Sequence, residues 1–403
     1  MTTAIEEAVR NLGSGQLTED SLRQHIWPLF SRVLERQSKE IYLANHSLGQ
    51  PLDRTAEDIQ TALNYWYEDM DGAWDNWLAE RDHFRATIAR LINLPRPDAV
   101  IPKDNVGQAV RAVINALPAR CPKILTTQGE FDSTDFILKV YEQQGRCSPS
   151  FVPPNDSGLF DAESIANAIT PETGLVIVSA VFFHTGQVLE HLDTIITRAH
   201  DAGVLVLVDA YHAAGVMPID AHRLNADFIV GGSYKYTRGG PGACWLAIRP
   251  DHLYTQRFTP IDTGWFAKRN TFAYERPDSP EFAEGGNAWL ESTPAVLPYY
   301  QAKAGLELTL ALGIERLRSY NLEQQQFLAD RLREHRVDTR LIDPRGAFLL
   351  VPADNAAQKC SNLRENGVNT DSRWGCIRLC PDILNTQDEM SRAAKIIQSA
   401  MTR

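Results

Sequence analysis

From about residue 100 to 250, short and uninterrupted apolar runs alternate with amphipathic stretches, and this alternation narrows the fold more than any other feature of the chain. Residues 123–127, 175–181, 204–209, 228–232 and 242–248 read as strands, and 132–144, 161–169 and 191–202 as helices. A strand with one wet face alternates apolar and polar side chains; a strand covered on both faces is apolar throughout. Repeated units of this second kind predict an α/β fold with a mostly parallel central sheet and helices on both faces. In such sheets ligands lie beyond the carboxyl ends of the strands, so chemistry should sit just after the apolar runs.

The flanking regions read differently. Residues 1–80 are expected to form a mainly helical N-terminal segment, interrupted by a short apolar run at 41–43 that suits a strand or an extended arm. Trp66, Trp74 and Trp77 give residues 65–77 more aromatic weight than a solvated helix needs, as core, interface or the wall of a pocket for a flat ligand. Residues 81–310 would form the large domain. Residues 311–403 would form a small C-terminal α+β domain, read as helix 321–335, strand 346–351, helix 356–366, strand 375–379 and helix 387–401. A long helical stretch over 295–318 would join the two.

Composition excludes several classes. With 51 acidic against 40 basic residues the formal charge is −11, which argues against a general nucleic-acid surface. No apolar run reaches roughly 18 residues, so no membrane span is expected. The N-terminus lacks a basic start followed by an apolar stretch, so a cytoplasmic protein is the default expectation. The 6 cysteines are scattered, and Cys376 and Cys380 have no neighbouring His or second Cys pair to complete a metal site.

The densest chemistry lies in VLVLVDAYHAAG (204–215) and DFIVGGSYKYTRGGPG (227–242). Asp209 ends one apolar run and His212 follows three residues later. Lys235 follows the next run, flanked by Tyr234 and Tyr236 and followed by a Gly-rich turn. A lysine can hold an aldehyde cofactor as an imine, while a carboxylate against a pyridine nitrogen keeps that ring protonated and electron-drawing. Taken singly, each residue has an ordinary reading: Asp209 as a helix cap, His212 as a structural histidine, Lys235 as a surface side chain with a buried stem. Their joint order and placement carry the argument.

DAYHAAG together with SYKYTRGGPG resembles the kynureninases, within the class V branch of pyridoxal-phosphate (PLP) enzymes of fold type I. The Asp-x-x-His form favours the kynureninases specifically, because many class V relatives carry Gln where this chain has His212. The likeness extends to IYLANHSLGQP (41–51), FFHTGQ (182–187), GWF (264–266), Arg345-Gly346 and IRLCPDIL (377–384), and so covers most of the chain. It implies that Lys235 bonds the cofactor, Asp209 pairs with the pyridine nitrogen, His212 sits beside the ring, and Tyr234 bonds the phosphate and relays a proton. Phe131 would stack on the ring, with Ser179 at a strand end nearby. Asn105 and Val106 open the helix expected over 107–117, whose free N–H groups and dipole favour phosphate. Trp265 and Thr293 would complete the phosphate cup from a second subunit, making the protein a homodimer with shared sites. Arg378 would clamp the carboxylate of a small amino-acid substrate in a bidentate pair. The resemblance further implies hydrolysis of the Cβ–Cγ bond of kynurenine or 3-hydroxykynurenine.

Departures cluster away from the cofactor. The family's NSLG is NHSLG here, leaving either His46 or Asn45 in the asparagine's role. Its Phe-Pro-Ser/Thr-Asp is Phe131-Asp132-Ser133-Thr134, its GWFGH reads GWFAK over 264–268, and its PLY end is Asp382-Ile383-Leu384. Transamination or β-elimination by a class V enzyme therefore stays open, as does a silent protein of the same fold.

Overall fold

The computed structural model describes residues 3–37 and 40–402. Its strands are β1 (Ile41–Tyr42), β2 (Val100–Lys103), β3 (Lys123–Thr127), β4 (Ser148–Val152), β5 (Thr173–Ser179), β6 (Leu205–Asp209), β7 (Phe228–Gly232) and β8 (Cys244–Ile248), followed by β9 (Leu349–Pro352), β10 (Val368–Asn369), β11 (Asp371–Arg373) and β12 (Cys376–Leu379).

Seven strands form the central sheet in the order β2-β8-β7-β6-β5-β3-β4. The pairs from β7 through β4 are parallel, whereas β8 runs antiparallel to both β7 and β2. The expected α/β fold is therefore present with a mixed, mostly parallel sheet. Val176, Ile177, Val206, Leu207 and Val230 have no exposed surface, as strands covered on both faces require. Burying each such side chain contributes about 1.5–3 kcal/mol.

Two strands of this sheet go beyond the sequence reading: β2 (VIPK) and β4 (SPSFV). Each contains a proline, which weakens a strand reading, and each lies at an edge of the sheet, where a missing N–H disrupts no ladder. The expected continuous helix over 295–318 is also corrected. Gly313, at φ +87°, divides it into Leu297–Leu312 and Ile314–Glu334, so the second helix begins earlier than the 321 expected.

A smaller antiparallel sheet, β11-β12-β9, packs with the helices Ala356–Glu365 and Gln387–Met401 around Leu349, Val351, Ile377 and Leu379. The N-terminal segment joins this unit, with β1 pairing in parallel with β10 and Leu43 buried in the same core. Among the described residues no helix is long and apolar enough to cross a membrane.

Candidate active site

The register of the central sheet brings the chemistry together. Ser179 and Asp209 are cross-strand partners at the carboxyl ends of β5 and β6, and Asp209 pairs with Val230 of β7. Lys235 follows β7 by three residues, in a turn closed by Gly239 N–H donating to the Ser233 carbonyl at 2.6 Å. Asp209, Lys235, His212, Tyr234, Ser179 and Phe131 line one cavity of about 300 Å³, together with Asn105 and Val106.

Burial dominates the electrostatics. It pulls the Lys235 ammonium down to about 7, with the Arg378 charge adding to the fall and Asp209 opposing it. The Asp209 carboxyl is pushed up by burial, against the stabilising pull of the Tyr211 N–H and Lys235. Asp209 Oδ1 accepts that N–H at 2.8 Å, and no protein donor reaches its Oδ2 among the described residues. His212 is held well below its usual range, first by burial and then by the Lys235 and Arg378 charges. Its Nε2 lies 2.5 Å from Lys235 Nζ and its Nδ1 lies 3.2 Å from the Tyr236 hydroxyl. A neutral imidazole satisfies both contacts when Nδ1–H donates to Tyr236 and Nε2 accepts from the amine.

Two helix starts line the same cavity. Asn105 caps the helix Val106–Ala116, its Oδ1 accepting the Gln108 N–H at 2.9 Å. The first turn of the helix Asp132–Gln143 contributes Ser133 and Thr134 to the same wall. Free N–H groups at helix starts favour phosphate. These residues suit pyridoxal phosphate: the helix starts could hold its phosphate, Asp209 Oδ2 its pyridine nitrogen and Lys235 Nζ its aldehyde carbon.

Other expected residues lie elsewhere. Trp265 and Thr293 do not reach this cavity within the chain; Trp265 Nε1 donates to Thr293 Oγ1 at 3.2 Å on the outer surface. Trp74 packs edge-on against Trp77 and tilts against Phe266, so the tryptophan group belongs to that surface and not to the cavity wall. Arg378 departs from expectation, because its fork is already engaged. Nε and Nη2 donate to Asp371 at 2.8 and 2.5 Å, and Nη1 donates to the Phe183 carbonyl at 2.5 Å. His46 Nε2 also binds Asp371, at 2.7 Å, while Asn45 donates to the Cys380 carbonyl at 3.1 Å. His46, Asn45 and Arg378 do not line the cavity themselves; Arg378 meets its wall through the carbonyl of Phe183, which does.

The sequence reading missed three features of the site. Glu130 is buried beside Asp209, its carboxylate accepting from Ser179 Oγ at 2.6 Å and Thr127 Oγ1 at 2.7 Å; burial nevertheless raises it to about 7. Its position immediately before Phe131 was the available signal. Trp374, at the tip of the β11–β12 hairpin, stacks on His184 with ring centroids 3.9 Å apart, and both contact Phe183 at the cavity wall. Gly49 presses against the lysine turn. Its N–H donates to the Tyr234 carbonyl at 2.7 Å, and a Cβ there would fall 1.9 Å from the Lys235 carbonyl oxygen.

Residues 75–347 match the family described as Aminotransferase class-V. The chain belongs to the class-V aminotransferase family. Kynureninase of Bacillus mycoides (strain KBAB4) is 25% identical over 395 residues, covering 92% of this chain and 91% of the relative. The uncharacterized aminotransferase YcbU of Bacillus subtilis (strain 168) is 25% identical over 352 residues, covering 86% of this chain and 90% of that protein. Among solved structures, a mutant of C-DES with glycine covalently linked to the PLP cofactor superposes with a TM-score of 0.82 at 22% identity, covering 92% of this chain and 98% of that one. The cysteine desulfurase of Thermococcus onnurineus NA1 gives a TM-score of 0.81 at 18% identity, covering 97% and 99%. These two likenesses concern the fold of this class-V protein.

Proposed function

We propose that this class-V protein is a PLP-dependent hydrolase of the kynureninase kind, converting kynurenine or 3-hydroxykynurenine and water into alanine and the corresponding anthranilate. The observation that carries the reading is the convergence of Lys235, Asp209 and His212 on one cavity beside the Asn105 helix start. The kynureninase relatives, similar over nine-tenths of the chain, support the choice of reaction.

Bound pyridoxal phosphate would supply the electron sink for bonds at the substrate's Cα. Asp209 Oδ2 would hold the proton on the ring nitrogen. A neutral Lys235 Nζ, made accessible near pH 7 by burial, would take the Cα proton, with His212 Nε2 orienting the amine. Tyr234 lies in the same wall and would relay a proton to the departing fragment. The neighbouring aromatic set of Phe131, Phe183 and Trp374 suits a flat ring.

A second reading is transamination, favoured by the equal identity to YcbU. Cysteine desulfuration has less support from this cavity. Its one lining thiol, Cys244, is buried, contacts the Tyr211 hydroxyl and is pushed up to about 11 by burial, so little of it is thiolate at neutral pH. We further propose a homodimer in which the Trp265–Thr293 surface, carrying the exposed rings of Phe272 and Tyr274, meets the partner's site.

Incubation with PLP and kynurenine, followed by mass spectrometry of the products, tests the reading. One alanine per anthranilate supports hydrolysis; a keto acid in stoichiometric amount replaces it with transamination. Sedimentation tests the dimer, and full activity in a monomer would refute it.

A further inference from the structure

Asp371 is the most fully engaged carboxylate beside the candidate site. It faces Arg378 directly across the β11–β12 ladder, so the pairing is built into the hairpin register. Its Oδ1 accepts from His46 Nε2 and Arg378 Nε, and its Oδ2 accepts from Ser47 Oγ at 2.5 Å and Arg378 Nη2. A bidentate guanidinium, an imidazole and a hydroxyl make a donor set suited to any carboxylate. In this chain an aspartate of the protein already fills it. Arg378 is itself buried, at 2% exposure, and its charge acts on both Lys235 and His212.

We propose that Asp371 is a specificity-determining residue: a resident stand-in for the substrate's carboxylate, which the incoming group must displace from Arg378. The inference rests on the reading that an amino acid enters the cavity beside Lys235. Exchange of one carboxylate for another keeps the guanidinium matched throughout, avoiding the cost of a bare buried cation. A displaced Asp371 has a second cation at hand, because Arg373 Nη1 lies 3.8 Å from its Oδ2. It also lies on a short strand that leads directly into the exposed hairpin tip at Trp374. The consequence is selectivity. A ligand that offers only a carboxylate gains little by exchange, and one that adds ring or side-chain contacts gains enough to displace the aspartate.

The test compares L-alanine with ethylamine, the same amine without a carboxylate, each titrated into PLP-loaded protein and followed by the cofactor's absorbance. In Asp371→Asn, the apparent Kd for alanine should fall about tenfold, as expected when a competing closed state is removed, and that for ethylamine should change by less than about twofold. Weaker alanine binding, or equal shifts for both amines, would show that Asp371 merely orients Arg378 and would overturn the proposal. A second readout uses cofactor-free protein. Acetate should raise the melting temperature of Asp371→Asn and leave the parent unchanged; no difference between them also overturns it. Should Asp371→Asn not fold, Ser47→Ala removes one hydrogen bond to Asp371 and should tighten alanine about twofold, unchanged or weaker binding counting against the proposal. If the parent shows no cofactor band at all, the Lys235 reading fails, while the acetate comparison still judges Asp371.

Discussion

The two sides of the site contrast in how much of their hydrogen bonding the protein has already used. On the lysine side, Asp209 has one oxygen that no protein donor among the described residues reaches, and the helix starts at Asn105 and Ser133 face a cavity. On the arginine side, each nitrogen of the Arg378 fork donates to a protein acceptor, and both oxygens of Asp371 take two donors each. An open set of groups is poised for a ligand, whereas a closed set must trade partners to admit one. On the proposed reading the first is a preformed cofactor seat and the second a conditional substrate seat.

The largest expected effect lies on the open side. Lys235→Ala should abolish the absorbance of lysine-bound cofactor and lower turnover by about 10³-fold or more. A variant that keeps that band would place the covalent attachment elsewhere. Asp209→Asn should still bind cofactor and lose about 10²–10³ in turnover, since it removes the fixed charge at the ring nitrogen. Unchanged turnover would remove Asp209 from the chemistry. Cofactor attachment should also follow the lowered amine. The reactive neutral form grows as pH rises through about 7 and is nearly complete about one unit higher, so the rate of band formation should rise and then level there. An ordinary lysine would keep the rate climbing toward its usual 10.5.

Smaller effects probe the parts that hold the two sides together. Gly49→Ala drives a methyl against the Lys235 carbonyl and should destabilise the fold by about 1–3 kcal/mol in chemical denaturation. A neutral result would mean that the contact is loose. Trp374→Ala removes the stack on His184 and should raise KM for an aromatic substrate by about fivefold, the equivalent of about 1 kcal/mol, without altering cofactor absorbance.

The legibility of these regions in the sequence follows the same division. Asp209, His212 and Lys235 sit within two short motifs directly after uninterrupted apolar runs, so their meeting at strand ends follows from parallel pairing. The antiparallel course of β8 leaves no such trace, because a buried strand is apolar in either direction. Asp371 was out of reach for another reason. Its contact with Arg378 depends on the two-residue turn Trp374-Gly375, with φ of +46° and +75°. Such turns are signalled by Asn-Gly or Asp-Gly, and a tryptophan in the first position hides the hairpin. Trp265 and Thr293 carry a recognisable pattern, yet within the chain they bond each other away from the cavity.

The arm from β1 to Gly49 has a mechanical consequence. At one end it is laced into the small sheet through β10, and at the other the Gly49 N–H grips the turn that carries the lysine. Asn45, His46 and Ser47 continue the first anchor through Cys380 and Asp371, so only Leu48 separates it from the second and rocking of the C-terminal unit pulls on the turn that carries the amine. Cleavage of the chain there should therefore leave both halves folded yet let them drift out of step.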